Sequence, residues 1–325
     1  MRTLTTRRSF LVTSAAAAAS VSLWPTSARA HFHAPFARKK SLIGVPTAET
    51  LDRHRAAGFE GIESTEWSIA PEQAAEQRAL AEARGMRVHS VLRGWTNFNS
   101  PRADEVAQDI ASVETALRAS QGYAADALLL VPCRLLNDVK VPKPEEFEIE
   151  FDDRTGHVTR VVAGDNSPFQ AYMQAQNEAI DMSRKALEKL IPTAEKTGVV
   201  IALENVWSNL WVKPTLFAHF VRSFQSPWIQ SYFDIGNHVK YAPPEEWIRE
   251  LGKTIVKLHV KDFVIDRAAQ AGGQFVDIRD GQVNWPAVMQ ALDKVEYAGW
   301  LTIEGSGGLS LEEQNRRLDL ILAGK

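Results

Sequence analysis

The chain is nearly without cysteine. Cys133 stands alone among 325 residues, so no intrachain disulfide can form, whatever compartment the protein works in. Stability must come from a hydrophobic core, and a chain of this length can bury a large one. Beyond the N-terminal 30 residues there is no apolar run long enough to cross a bilayer. Positive charge is not in excess: 37 lysines and arginines face 40 acidic residues, a formal charge of −3. That balance speaks against nucleic acid or anionic lipid as a partner. Linkers and repeats larger than a strand-plus-helix unit are also missing, which points to one domain.

Residues 1–30 read differently from the rest. They contain no acid, and Arg7 and Arg8 form a twin-arginine pair followed by Ser9, Phe10 and Leu11. An Ala-rich, modestly apolar run follows and ends on Ala28-Arg29-Ala30, a small-residue cleavage pattern. This is the layout of a twin-arginine (Tat) signal peptide, cleaved after Ala30, and it predicts an exported, periplasmic protein. The run is too short and too weakly apolar for a membrane span. Removing its four arginines leaves 33 basic against 40 acidic residues, a formal charge of −7. Residues 31–40 (HFHAPFARKK) read as a loose lead-in, with His31 and His33 in a disordered mature terminus.

From Ser41 onward, short apolar runs alternate with amphipathic helical stretches. The pattern predicts strands at 42–45, 59–63, 87–92, 127–131, 199–204, 230–234, 255–259 and 301–304. Helices are expected at 71–84, closed by Gly85, at 103–120, and at 167–196 with Pro192 as a kink. Others should start near Pro214, Pro243, Pro286 and Ser310. Eight strands with eight helices describe an α/β chain folded as a single (β/α)8 TIM barrel over residues 41–325. Two insertions break the rhythm. Residues 147–151 and 157–162 alternate apolar and polar around Asp-Arg-Thr-Gly, which reads as a β-hairpin after strand 4. It should sit over the barrel mouth as a wall or lid. Residues 262–283 form the second insertion, whose Ala-Gly-Gly suggests mobility.

Four consecutive strands stop on metal-ligand types. VVIALE ends at Glu204, QSYFD at Asp234, TIVKLH at His259 and WLTIE at Glu304, with gaps of 30, 25 and 45 residues. In a (β/α)8 barrel such tips converge at the C-terminal mouth, where active sites lie. Taken singly, each has a plainer reading: a salt bridge for Glu204 or Glu304, a loop cap for Asp234, a satisfied core imidazole for His259. Together they form an oxygen-rich set suited to one divalent ion, Mn, Mg, Co or Zn, and unsuited to iron–sulfur or copper. Glu63 ends the second strand and His89 lies on the third, so both become substrate-binding candidates. So do His238, four residues past Asp234, and Lys261, which shares a side of the extended chain with His259. Trp67, Trp95, Trp207 and Trp211 fall in loops expected around the mouth, and Trp207 is the candidate sugar-ring contact.

The segments GFEGIE, ALENVW, YFDIGNH, KLHVKD and LTIEG resemble the xylose isomerase-like TIM-barrel superfamily, the sugar phosphate isomerase/epimerase group. The resemblance spans residues 41–323. It implies one divalent metal, commonly Mn, on Glu204, Asp234, His259 and Glu304. It also implies that Glu204 and Glu304 exchange the proton on a carbon beside a carbonyl, through a metal-stabilised enediolate, as in ketose 3-epimerases. On that reading His238 and Lys261 hydrogen-bond substrate oxygens and Glu63 binds a hydroxyl. The chain departs from the epimerase pattern in three places. Gly236 and Asn237 separate Asp234 from His238, Lys261 stands where an arginine is usual, and Arg279-Asp280-Gly281 replaces a Gly-Glu-Gly turn. The further ligands of an endonuclease IV-like trizinc site are not found.

The reading that follows is a metal-dependent sugar isomerase or epimerase. Export argues for a free sugar, an oxidised sugar or a glycoside over a cytoplasmic sugar phosphate. The same proton abstraction would drive β-elimination if a leaving group lies two carbons from the carbonyl, so a 3-keto-glycoside lyase or hydratase is the alternative. A non-catalytic sugar-binding protein with a structural metal is the third reading. Barrels of this kind pair through their helical shell, so a homodimer is compatible with the sequence.

Overall fold

A computed structural model describes residues 37–136, 138–269 and 271–325 of the chain. The stretch read as a signal peptide, His31 and His33 lie outside the described residues. Eight parallel strands close into a barrel. They are β1 (Arg38–Gly44), β2 (Gly61–Ser64), β3 (Arg87–Trp95), β4 (Ala127–Val131), β7 (Val200–Glu204), β8 (Ile229–Asp234), β9 (Ile255–Val260) and β12 (Gly299–Ile303). The barrel closes where β1 pairs with β12, Leu42 opposite Ile303. Among the described residues eight α-helices surround it: α1 (Ala48–Ala56), α2 (Pro71–Glu82), α3 (Ala103–Gly122), α4 (Gln170–Thr197), α5 (Pro214–Arg222), α6 (Pro244–Leu251), α7 (Trp285–Lys294) and α8 (Leu311–Leu322). No helix among the described residues is long and apolar enough to cross a membrane.

The strands read as they do because both faces are covered. β4, ALLLV, is buried at every position, as a barrel strand must be. Alternation then sorts its side chains. Leu128 and Leu130 join the large cluster between barrel and helices, with Ile201, Leu203 and Phe217. Ala127, Leu129 and Val131 join a small cluster with Ala202 and Tyr232, which the pleat assigns to the barrel interior.

Three expectations needed correction. The first strand starts at Arg38, inside the stretch read as lead-in. Its charged residues are tied to the shell: Arg38 reaches Asp293 of α7 at 2.6 Å, Lys40 reaches Asp319 of α8 at 2.7 Å, and the exposed Lys39 lies over the Trp300 ring. Long cationic stems packing on the barrel floor hid the strand in a basic run. Helix α1 had no predicted counterpart. It buries only Leu51 and His54, too few apolar positions for a visible stripe, although Thr47 caps it through the Thr50 N–H.

The third correction concerns the insertions. The first is the predicted hairpin, β5 (Phe147–Phe151) with β6 (Val158–Val162). It is pinned to the helical shell rather than laid across the mouth. Val158 N donates to Asn177 Oδ1 of α4 at 2.7 Å, and His219 Nε2 of α5 bonds the Asp153 carbonyl at 2.8 Å. The second insertion, read as mobile, is a second hairpin, β10 (Asp262–Ile265) with β11 (Gly273–Val276). Asp262 organises it, accepting from the N–H groups of Phe263, Arg279 and Val283 and from the Trp285 indole.

Candidate metal centre

Four neighbouring strands, β7, β8, β9 and β12, bring Glu204, Asp234, His259 and Glu304 to one point at the barrel mouth. One donor atom from each lies within 4.8 Å of the others. His259 Nδ1 is 3.0 Å from Glu304 Oε2, 3.3 Å from Glu204 Oε1 and 3.9 Å from Asp234 Oδ2. His259 and Asp234 are buried, while the Glu304 side chain keeps 31% exposure and forms the open side.

Each ligand is held by groups that set its orientation. Asp234 Oδ1 accepts from the N–H groups of Gly236 and Asn237 at 2.8 and 2.6 Å, which leaves Oδ2 for the cluster. Asn205 clamps the same strand end, accepting from Asp234 N and donating to its carbonyl. Asn237 Nδ2 reaches the Asn205 carbonyl at 3.1 Å and Glu204 Oε1 at 3.4 Å. Behind His259, Glu63 Oε2 accepts from Nε2 at 3.1 Å and from the Tyr232 hydroxyl. With Nε2 donating backwards, Nδ1 presents its lone pair to the cluster, the orientation a metal-ligating imidazole needs. Gly236 lets this loop lie on β9, since a Cβ there would sit 2.8 Å from the Lys261 carbonyl carbon and oxygen.

The electrostatics are those of an overcharged pocket. Burial raises Glu204 above the ordinary carboxylate range. Burial lifts Asp234 to about 7, against the pull of Lys261. Burial also opposes ionisation of Glu304, but the charges of His259 and Lys261 outweigh it and hold that carboxyl low. For His259 burial works against the proton, and the surrounding carboxylates, Glu63 first, overcome it and raise the imidazole well above its usual value. At neutral pH the cluster thus holds protons where a cation would sit, and a cation entering it would displace them. Asp234 Oδ2 and Glu304 Oε2 are buried without a well-aligned hydrogen bond, although Lys261 Nζ lies 3.4 and 2.8 Å away. One imidazole, three carboxylates and two unfilled acceptors fit one hard or borderline divalent cation.

The remaining expected site residues divide. Lys261 is in the cluster, also 3.3 Å from Asn237 Oδ1. Trp207 stands at its edge, donating to the Asn237 carbonyl and packing on Phe263 and Phe275. Glu63 is fully buried behind His259, so it positions the imidazole instead of meeting a substrate hydroxyl. His89 lies within the barrel, stacked on Trp300 with Nε2 2.8 Å from Ser41 Oγ and 3.2 Å from Thr302 Oγ1. His238 bonds the Val206 carbonyl at 2.9 Å and packs on Trp247 and Tyr241; none of its contacts is a cluster ligand. Trp211 is buried against Phe220. Asn205, Tyr232 and Phe275 had not been singled out in the sequence, and Asn237 only as a departure from the epimerase pattern; the two asparagines stand in ENVW and IGNH, next to residues that had.

A cleft of about 860 Å³ is lined by Lys213, Lys240, Tyr241 and Arg267 among others. No ligand of the cluster lines it, so the convergent donors mark the chemistry and the volume does not. A groove of about 220 Å³ does reach Glu304, past His54 and Gly305.

A family model described as Xylose isomerase-like TIM barrel matches residues 51–319, a span that holds all four ligands. No curated protein matches the sequence. Several solved structures share the fold. A D-allulose 3-epimerase from Methylomonas sp., in complex with D-allulose, is 17% identical with a TM-score of 0.63, covering 90% of this chain and 98% of that one. A 3-keto-D-glucoside 4-epimerase from E. coli is 12% identical with a TM-score of 0.63, covering 88% and 99%. A mannonate dehydratase from Streptococcus suis is 14% identical with a TM-score of 0.63, covering 88% and 95%.

Proposed function

The chain belongs to the xylose isomerase-like TIM barrel family, and on that premise we propose that it is a divalent-metal-dependent isomerase or epimerase of a sugar or sugar derivative. The observation that carries this reading is the pair of glutamates flanking His259 Nδ1, Glu204 at 3.3 Å and Glu304 at 3.0 Å. Their surroundings push their proton affinities in opposite directions, Glu204 up and Glu304 down. Two carboxylates set apart in this way suit the removal of a proton by one and its return by the other. A divalent cation, Mn, Mg, Co or Zn, held by Glu204, Asp234, His259 and Glu304 would polarise a carbonyl oxygen and favour loss of the neighbouring proton. Glu304, the more open and more acidic, takes the proton at Oε2. Lys261 keeps that oxygen ionised and donates to the substrate oxygen on which negative charge develops. Glu204, holding its proton more tightly, delivers one to the other face of the carbon.

Lys261 also supports a second reading. Its ammonium, 2.8 Å from Glu304 Oε2, could protonate a leaving group as Glu304 takes the proton next to the carbonyl. The C–H electrons then form the new C=C bond and the C–O bond breaks, which is the chemistry of a 3-keto-glycoside lyase or hydratase. The similar solved structures include both a 3-keto-D-glucoside epimerase and a mannonate dehydratase. The twin-arginine leader adds the proposal that the enzyme works in the periplasm, where glycosides are within reach.

The test is mass spectrometry on the mature, metal-loaded protein in heavy water with ketoses, aldoses and 3-keto-glycosides. Deuterium gained by a sugar of otherwise unchanged mass supports the isomerase, and release of an aglycone supports the lyase. Glu304→Gln should abolish either signal with the fold intact by circular dichroism. Exchange that persists in this variant overturns the assignment, and silence across the panel favours a binding protein.

A further inference from the structure

The β10–β11 hairpin rises directly from β9, the strand that carries His259, with Lys261 as the single residue between them. Phe263 and Phe275 face each other across it, with ring centroids 5.2 Å apart and edge to face. Trp207 completes the group, 5.4 Å from Phe263 and 4.7 Å from Phe275. The three rings are not equivalent. Phe263 is fully buried, and Lys240 Nζ covers the Trp207 ring at 3.6 Å. Phe275 keeps 39% of its surface exposed, one of three large apolar side chains to do so among the described residues. Its ring centre lies 4.8 Å from Lys261 Nζ, the ammonium that contacts Asp234 and Glu304.

That position is built. Gly273, opposite Val264's neighbour in the turn side of the hairpin, adopts φ 142°, and a Cβ there would meet the Val264 carbonyl oxygen at 2.0 Å. Only glycine lets the two strands close enough to hold Phe275 over Phe263. The Asp262 carboxylate, with its four donors, fixes the hairpin's base. An exposed phenyl held rigidly beside a polar cluster is a surface for a ligand with one apolar face and one polar edge.

We propose that Phe275, backed by Trp207 and Phe263, is a ring-stacking subsite that makes this site select sugars in ring form, pyranosides above all, over open-chain sugars. A pyranose ring presents a flat patch of axial C–H groups to the phenyl while its hydroxyls reach Lys261 and the cluster. An extended polyol has no such patch. The proposal deepens the sugar-enzyme reading and rests on the cluster being the reaction site, but it is tested by binding alone.

The experiment uses the full mature chain loaded with Mn, titrated calorimetrically with methyl α- and β-D-glucopyranoside and galactopyranoside, and with D-glucitol as the open-chain probe. At least one pyranoside should bind about tenfold or more tightly than glucitol. Phe275→Ala should remove that preference, and Phe275→Trp should keep it. Leu80→Ala, which trims an equally exposed apolar side chain on α2, should leave the preference in place. Glucitol binding as tightly as the pyranosides, no pyranoside binding, or an unchanged preference in Phe275→Ala overturns the subsite. Ring preference lost in Phe275→Ala, in a protein that shows no isotope exchange with any sugar, upholds the subsite and refutes the enzyme reading.

Discussion

His238 stands four residues beyond Asp234, a candidate metal ligand, yet its surroundings are those of a neutral structural imidazole. It is 2% exposed, its Nε2 donates to the Val206 carbonyl, and its Nδ1 has no partner. Burial pushes it down to about 3, the Val206 carbonyl pulling weakly the other way. In the unfolded chain the same group titrates near 6.5. Its stabilising contribution is therefore complete above pH 6.5 and declines as pH falls towards 3, because the unfolded chain takes up the proton first. The slope inside that window is about 1.4 kcal/mol per pH unit, so pH 7 to pH 5 costs about 2 kcal/mol. His238→Gln keeps an amide donor for Val206 and removes the titration. Urea unfolding followed by tryptophan fluorescence, with a chelator and at fixed ionic strength, should show the variant's free energy converging on wild type by about 2 kcal/mol between pH 7 and pH 5. His54, which burial lowers to about 4, titrates in both proteins and cancels in the comparison. Sugar binding at pH 7 should be unchanged. Parallel stability curves combined with lost sugar binding would refute the argument and return His238 to the substrate.

Two further substitutions probe the groups behind the cluster. Glu63→Gln keeps a polar group against Tyr232 and His259 but removes the charge that fixes the imidazole; Mn affinity, read by electron paramagnetic resonance, should fall about 10- to 100-fold, and an unchanged affinity would reduce Glu63 to barrel filling. Gly236→Ala would drive a Cβ to 2.8 Å from the Lys261 main chain, so it should destabilise the protein by about 1–3 kcal/mol in the same urea assay and weaken Mn binding as well. Wild-type behaviour on both counts would show that the loop can move away from β9 freely.

The contrast between these residues shows what a linear pattern can and cannot convey in a barrel. The strands were legible because each holds a short buried apolar run, a pattern set within the strand itself, although β1 was read only from Leu42 onward because its start is basic. The ligand set was legible for the same reason: Glu204, Asp234, His259 and Glu304 all stand at or beside the C-terminal ends of four adjacent strands. Glu63, His89 and His238 satisfied the same rule of thumb and went elsewhere. Glu63 and His89 lie where β2 and β3 slip register, Ile62 opposite Val88 and Glu63 opposite Ser90, so their depth in the barrel depends on pairing between strands. His238 belongs to a loop whose path is set by Asp234 accepting two N–H groups, and that turn carries its ring towards Trp247. Phe275 was hidden for a different reason. The glycine that suggested mobility is the residue that lets β11 close on β10, and the Asp262 contacts that stiffen the hairpin come from residues as distant as Val283 and Trp285. Chemistry at a strand end is thus written locally, whereas the depth of a side chain and the rigidity of a wall are decided by partners the chain supplies later. A reading of this fold from sequence should trust consecutive strand tips as a group and treat any single polar residue near them as undecided until its register is known.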